Sequence, residues 1–454
     1  GPAGGPAGGR AAVATVARKG RSDLLAHVRD PLFWHAYVLL INTAITSGLG
    51  LLYWLLVARL YPQAEVGRNA AIIASITFVA GAAQLNLRPV LGRFVPIAAR
   101  RTGRLLLTAY AAAAGAGVLM SLVYLASSPL WAQAGPLVEI AASPPLVAAF
   151  VVAVILWTLF SIQDGALIGL RATVLLAVEN ASASALKIIL VVAFAVAAVG
   201  GGAAITLSWA VPIAVAVAVI SLVIARRLVP DHTARRESKA KLPTPARGMR
   251  YAAGDYVGSL FALAFTSLVP VIVLNQAGAE ASARFYIVWI ITTSLQLIPP
   301  QMTTSLVVDT ARDPSTFAVQ GRRMLLGILR VLLPVVAILV IAAPLVLGLF
   351  GPAYAEEVLL LRLLAISTIP YAVINLYIAL ARVRTRAGRI VLVQATIAIA
   401  LITLTQVLLP RIGLDGVGYA LLVTYGVAAV VLLATELRPI LWPSARTGVR
   451  PGTG

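Results

Sequence analysis

Four cations stand inside apolar runs long enough to cross a membrane: Arg88, Lys187, Arg330 and Arg362. A charge at the bilayer centre costs about 3 kcal/mol or more unless it is solvated or paired, which makes each of them a candidate site. The chemistry open to such a group is anion binding, and a phosphate is the natural guest of an ammonium or a bidentate guanidinium. Depth separates the four. Lys187 falls about 14 residues into its run, ~21 Å along a helix axis and near the middle of a ~30 Å hydrocarbon slab, too deep to reach water easily. Asn180, Ser184 and Lys187 follow an i, i+4, i+7 spacing and share one helix face, a polar stripe that implies a wet cavity. The competing reading is a lysine paired for structure with a carbonyl or carboxylate of a neighbouring helix.

Arg88 sits in "QLNLRPVLGRFVP" (Gln84–Pro96), at the end of its run, next to Pro89. It reads either as a snorkelling arginine or as a cavity-mouth guanidinium, with Pro89 ending the regular turn. Arg330 and Arg362 lie nearer the ends of their runs, where they either snorkel or line the cavity. Asn42 adds a hydroxyl-binding amide, although such residues also serve as interhelical glue. The substrate-binding candidates are therefore Lys187, Arg88, Asn180, Ser184, Arg362, Arg330 and Asn42. Asp164, Asp255 and Glu179 are the candidates for H+ or Na+ coupling, against the plainer reading of Asp164 and Asp255 as helix-end partners of loop cations.

Other chemistries find no residues. Cysteine is absent and the three histidines, His27, His35 and His232, lie in basic segments, so no metal site is expected. No Gly-rich phosphate loop ending in Gly-Lys-Ser/Thr occurs, and no acidic or His-rich loop suggests a transferase. The expectation is a non-enzyme without a cofactor.

The elements that must position these residues are membrane helices. The 454 residues are 60% hydrophobic and only 11% charged, against about 25% charged in a soluble protein. Twelve spans emerge: Phe33–Ala58, Arg68–Arg88, Leu105–Ala126, Pro145–Leu170, Thr173–Val199, Ala204–Ala225, Tyr251–Asn275, Ala281–Val308, Met324–Leu349, Tyr354–Leu380, Gly388–Leu409 and Leu414–Glu436. With both termini cytosolic, about 28 of the 36 lysines and arginines fall on one side of the membrane; Arg59, Arg68, Arg284 and Arg411 lie opposite, and the four cations above lie inside spans. The positive-inside rule thus accounts for the basicity without nucleic acid.

The expected fold is all-α and polytopic, with two pseudo-symmetric six-helix bundles. Residues 1–30 form a basic tail of low complexity, 31–225 the first lobe, 226–250 a cytosolic linker, 251–437 the second lobe and 438–454 a second tail. "ARLYPQAEVGRNAAIIASITF" and "LNQAGAEASARFYIVWIITTS" fall at corresponding places in the two halves, and an even number of spans per half makes the repeat parallel. Two bundles with a cleft between them suit alternating access, and Lys187 is expected at the heart of that cleft.

Four strings carry a family likeness: "LYPQAEVG" (Leu60–Gly67), "QLNLRPVLGRFVP", "QDGALIGLR" (Gln163–Arg171) leading to "VEN" and Lys187, and "FGPAYAEEVLLLRLLAISTIPYAV" (Phe350–Val373). With twelve spans in two halves, the chain resembles the multidrug/oligosaccharidyl-lipid/polysaccharide exporter superfamily. Within it, it is similar to bacterial polysaccharide-type lipid-linked oligosaccharide flippases. The resemblance implies a V-shaped pair of lobes in the bacterial plasma membrane and a cationic cavity. It also implies a polyprenyl-pyrophosphate-linked oligosaccharide as substrate, with envelope-polysaccharide polymerases or glycosyltransferases as partners. A cation-coupled multidrug exporter of the same superfamily, with an acidic and aromatic cavity, is the alternative reading. A non-transporting scaffold for envelope synthesis is another.

Overall fold

The computed structural model describes residues 31–131, 135–199, 201–235, 245–303, 317–384 and 386–438. Both expected tails, but for Arg438, and the centre of the expected linker lie outside these residues. Twelve helices carry the architecture: α1 (Pro31–Leu60), α2 (Gln63–Ala83), α3 (Leu87–Ala98), α4 (Thr102–Trp131), α5 (Pro144–Gly169), α6 (Thr173–Ala197), α7 (Ala204–Val223), α8 (Pro245–Gln296), α9 (Phe317–Phe350), α10 (Val358–Val383), α11 (Ala387–Ile412) and α12 (Asp415–Leu432). No strand occurs among the described residues.

These labels do not map one to one onto crossings. α8 is two spans read as one: Gly278, at φ 86° and ψ 175°, turns the chain back between its arms, a conformation only glycine adopts without strain. α3 is no span but a 12-residue amphipathic helix. Counting both arms of α8 and leaving α3 out gives the twelve crossings that the apolar runs foretold. Large apolar side chains such as Leu107, Val196 and Ile341 project outward, more than two thirds exposed, as acyl chains rather than water require.

The halves repeat their packing. In the first, α1 packs on α6, α4 on α5, α5 on α7 and α6 on α7. In the second, α8 packs on α11, α9 on α10, α10 on α12 and α11 on α12. An ion pair marks the same place in each: Arg68 to Glu139 at 3.0 Å and Arg284 to Glu357 at 2.9 Å, across sequence separations of 71 and 73 residues.

The halves meet where α2 lies along α8. At one end, the Gly67 end, a methyl group on Gly67 would stand 1.8 Å from the Ala279 carbonyl oxygen. Nearby, Trp54 tilts against Tyr286 at 4.6 Å between ring centroids. The Arg59 guanidinium donates to the carbonyls of Leu349 (2.7 Å) and Gly348 (3.2 Å), closing the C-terminal turn of α9. At the opposite, linker end, the Tyr256 hydroxyl donates to the Ala82 carbonyl.

One expectation needs correction here. The second span does not run on to Arg88. Leu85 (φ 50°) and Asn86 (φ 56°) take left-handed backbone and end α2, and Pro89 sits in the first turn of α3, where its missing N–H costs nothing. The expected 226–250 linker carries helix at both of its described ends. Where described, it continues as helix: a π turn at Ile224–Leu228 leads into Val229–Arg235, and α8 already begins at Pro245.

Candidate functional site

α6 brings Asn180, Ser184 and Lys187 to one face, as their spacing requires, and that face looks onto a cavity of about 310 Å³. α1 closes it with Asn42, Thr46 and Tyr53, α5 with Trp157, Phe160 and Asp164, and α7 with Trp209. Every lining residue belongs to the first half of the chain. The cavity is thus inside the first bundle rather than between the bundles, which corrects the location expected for Lys187. It borders the second half through Trp54, which lines the cavity and touches Tyr286.

Lys187, near the middle of α6, is held by aromatic faces. Its ammonium stands 5.4 Å from the Trp157 ring centroid and 5.2 Å from that of Trp209, within the range of a cation–π interaction. The two indoles lie 4.8 Å apart, tilted by 33°. No carboxylate among the described residues forms an ion pair with this ammonium, so the indole faces are its neighbours in place of a counter-charge. The walls are fixed. The Tyr53 hydroxyl lies 3.0 Å from both the Ile205 carbonyl and Ser208 Oγ. Ser184 Oγ donates to the Asn180 carbonyl at 2.8 Å, which leaves its lone pairs free to accept. Asn42 Oδ1 is buried and has no protein partner.

At the linker end of the cavity, Asp164 is neutralised. Arg88 approaches it at 3.0 Å and Asn180 Nδ2 at 3.4 Å. Gly165 and Gly169 make this possible. A methyl group on Gly165 would lie 2.2 Å from the Arg88 carbonyl oxygen, and one on Gly169 2.8 Å from that of Leu91. Two glycines one turn apart form the groove into which α3 settles, and α3 carries Arg88 to Asp164. Arg88 therefore reaches the cavity through Asp164, as the cation of an ion pair whose guanidinium is half exposed.

The other candidates lie elsewhere. Arg362 does not face the cavity: its Nε donates to the Val340 carbonyl at 3.0 Å. Pro344, four residues on in α9, has no N–H to offer that oxygen, so Arg362 takes the place of the missing helix bond. Arg330 is exposed on the outside of α9, away from the cavity, where its long stem can snorkel. Glu179 is buried and does not line the cavity. The side chain of Asp255 lies outside the described residues.

The residue types alone missed the aromatics. Trp157, Trp209, Tyr53, Trp54 and Phe160 make much of the lining. A signal was present: tryptophan favours the membrane interface, yet Trp157 stands mid-span beside a span that carries a lysine.

No family model matches the sequence, and no characterised relative matches it. Solved structures do resemble it. An inward-facing multidrug resistance MATE family transporter of the MOP superfamily aligns with a TM-score of 0.67 at 14% identity, over 87% of this chain and 96% of that one. An outward-facing MATE transporter aligns at 0.60 and 17% identity, over 87% and 93%. A MOP superfamily transporter from Pyrococcus furiosus, whose binding pocket is described as having reverse polarity suggesting a different function, aligns at 0.55 and 16% identity, over 87% and 93%. At these identities the likeness establishes the fold: a multi-pass, all-helical membrane protein built as MATE transporters are.

Proposed function

We propose that this chain is an alternating-access transporter that moves an anionic, lipid-linked head group across a membrane. The substrate class is a polyprenyl-pyrophosphate-linked oligosaccharide. One observation carries the reading: Lys187 brings its amine to the cavity between aromatic faces with no carboxylate paired to it among the described residues, whereas Asp164 in the same cavity is already paired with Arg88. A diphosphate offered to this site meets net positive charge, which offsets part of its desolvation. Ser184 and Asn42 supply hydrogen-bonding oxygens, and Tyr53, Trp54 and Phe160 supply flat faces for sugar rings. A cavity of about 310 Å³ suits the head group at its linkage, with the prenyl chain left in lipid.

The fold supports alternation. The halves touch at the Gly67 end through Gly67, Trp54 and Arg59 and at the linker end through Tyr256 and Ala82, and parting at one end while the other holds would open the path to one side at a time. The distribution of cations supports a cytosolic linker end. A bacterial plasma membrane, H+ or Na+ as the coupling ion and envelope-polysaccharide enzymes as partners belong to the same proposal.

A second reading has its own support. The cavity is aromatic and contains a carboxylate, features that suit an exporter of organic cations. Proteoliposomes separate the two. Translocation of a fluorescent polyprenyl-pyrophosphate oligosaccharide that is lost in Lys187→Ala supports the flippase. Ion-driven efflux of a cationic dye that survives Lys187→Ala, without glycolipid movement, overturns it.

A further inference from the structure

Behind the cavity, four helices enclose a second polar group. Glu179 on α6 is 3% exposed, and both its carboxylate oxygens are buried without a hydrogen-bond partner. Gln163 on α5 is fully buried. Its Nε2 donates to the Val217 carbonyl (3.2 Å) and to Ser221 Oγ (2.8 Å) on α7, and its Oε1 has no partner. Tyr110 on α4 is close to both, and its buried hydroxyl has no hydrogen-bond partner.

The count of donors shows what is missing. With Glu179 ionised, the knot holds four acceptor atoms: two carboxylate oxygens, Gln163 Oε1 and the phenol oxygen. It holds one free donor, the Tyr110 O–H, because the amide hydrogens of Gln163 are already engaged. An anion so placed bears the full cost of desolvation. No cation among the described residues pairs with it. On α5 its charged neighbour is Asp164, a like charge. Arg88 of α3 is bound to Asp164. Lys187, on the same helix as Glu179, is two turns away in the indole cage. Of the titratable groups on α1, Tyr53 and Arg59 lie toward the Gly67 end, and the side chains of His35 and Tyr37 lie outside the described residues. α7 presents Ser221, and Arg226 and Arg227 beyond it are exposed. One proton on Glu179 adds the second donor and removes the charge.

We propose that Glu179, Gln163 and Tyr110 form a proton-binding site, distinct from the substrate cavity and linked to it. The link is covalent adjacency. Gln163 is followed by Asp164, and Glu179 by Asn180. The first member of each pair faces the knot, and the second lines the cavity, where Asn180 donates to Asp164. Binding or loss of a proton at Glu179 repositions α6 against α5, and with them the Asp164–Asn180 contact and the seat of Arg88. The reaction is the addition of H+ from the aqueous phase to a carboxylate, with no other bond formed. The site does not depend on which substrate the cavity takes.

The test is infrared spectroscopy of the purified, lipid-reconstituted protein, titrated in sodium-free buffer. Protonated Glu179 contributes a carboxylic C=O stretch that disappears on alkalinisation, and Glu179→Gln removes it. Tyr110→Phe keeps the band and shifts its midpoint measurably, by up to about one pH unit, the size of one hydrogen bond. The Tyr110 variant also guards against a Glu179 variant that fails to fold. A band that survives Glu179→Gln, or no such band at any pH, overturns the proposal. An unmoved midpoint in Tyr110→Phe does so too. A band that vanishes when Na+ is added at constant pH would make the knot a sodium site and overturns the assignment to a proton.

Discussion

Arg88 places its guanidinium 3.0 Å from the carboxylate of Asp164, and the residue after Asp164 is the glycine that lets it do so. The pair joins α3, which lies outside the spans, to the wall of the cavity. A long side chain alone would not hold this contact. α3 must sit with its backbone against α5, and only a residue without a Cβ admits the Arg88 carbonyl at that distance.

Gly165→Ala should therefore act at a distance. Its new methyl group meets backbone, which cannot rotate aside, so α3 must lift. The expected cost is about 1–3 kcal/mol, as for other overpacked contacts, read as a lower melting temperature in detergent. Arg88→Gln leaves the α3 seat intact but strands Asp164 with a weak amide donor. It should reduce transport more than stability, and Arg88→Lys should restore part of the loss. Equal effects of Gly165→Ala and Arg88→Gln on both readouts would contradict this division.

How much of this was legible in the sequence depends on the range of the forces involved. The face shared by Asn180, Ser184 and Lys187 is a property of one helix, and helical geometry alone delivered it to the cavity. The twelve crossings follow from the length of apolar runs in the same way. Arg88 was misplaced because left-handed backbone at Leu85 and Asn86 ends the helix before Pro89, the residue that marks its end in the sequence. Arg362 was misjudged because the carbonyl that attracts it is freed by a proline on another helix. The location within one bundle was hidden for a similar reason: the tryptophans that enclose Lys187 come from α5 and α7, and no spacing along one helix reveals them.

Lys187 should behave as an anion receptor whose strength depends on its cage. Lys187→Gln should weaken binding of a short-chain prenyl diphosphate by about 10- to 100-fold, the range for a charged hydrogen bond. Lys187→Arg should retain much of the affinity, because a guanidinium also stacks on indoles. Trp157→Leu and Trp209→Leu each remove one face, worth about 0.5–2 kcal/mol. Titration calorimetry in detergent measures all four. An unchanged affinity in Lys187→Gln would place the diphosphate elsewhere.

Closure at the Gly67 end should hinge on the absence of a side chain there. A Cβ on Gly67 would overlap the Ala279 carbonyl and approach the Ala283 nitrogen at 2.9 Å. Gly67→Val should hold the two halves apart at that end and abolish transport while leaving the ligand accessible from that side. The chain has no cysteine, so spin labels can be attached at Arg59→Cys and Gly348→Cys without background. Their short-distance population, expected from the Arg59–Gly348 hydrogen bond, should be lost in the triple variant. Its persistence would show that Gly67 does not govern closure.

The contact between Arg362 and Val340 makes its own prediction, because its cause lies on a third residue. Arg362→Ala leaves the Val340 carbonyl without a donor inside the bundle and should cost about 1–3 kcal/mol. Pro344→Ala supplies a backbone N–H in register with that oxygen, so α9 can complete its own ladder. In the Pro344→Ala background, Arg362→Ala should then cost much less. The two changes are close enough to couple, and a double-mutant cycle on thermal unfolding measures the coupling. Additive costs would mean that Arg362 does something other than replace a helix hydrogen bond. A loss of ligand affinity in Arg362→Ala, with stability unchanged, would return it to the substrate path.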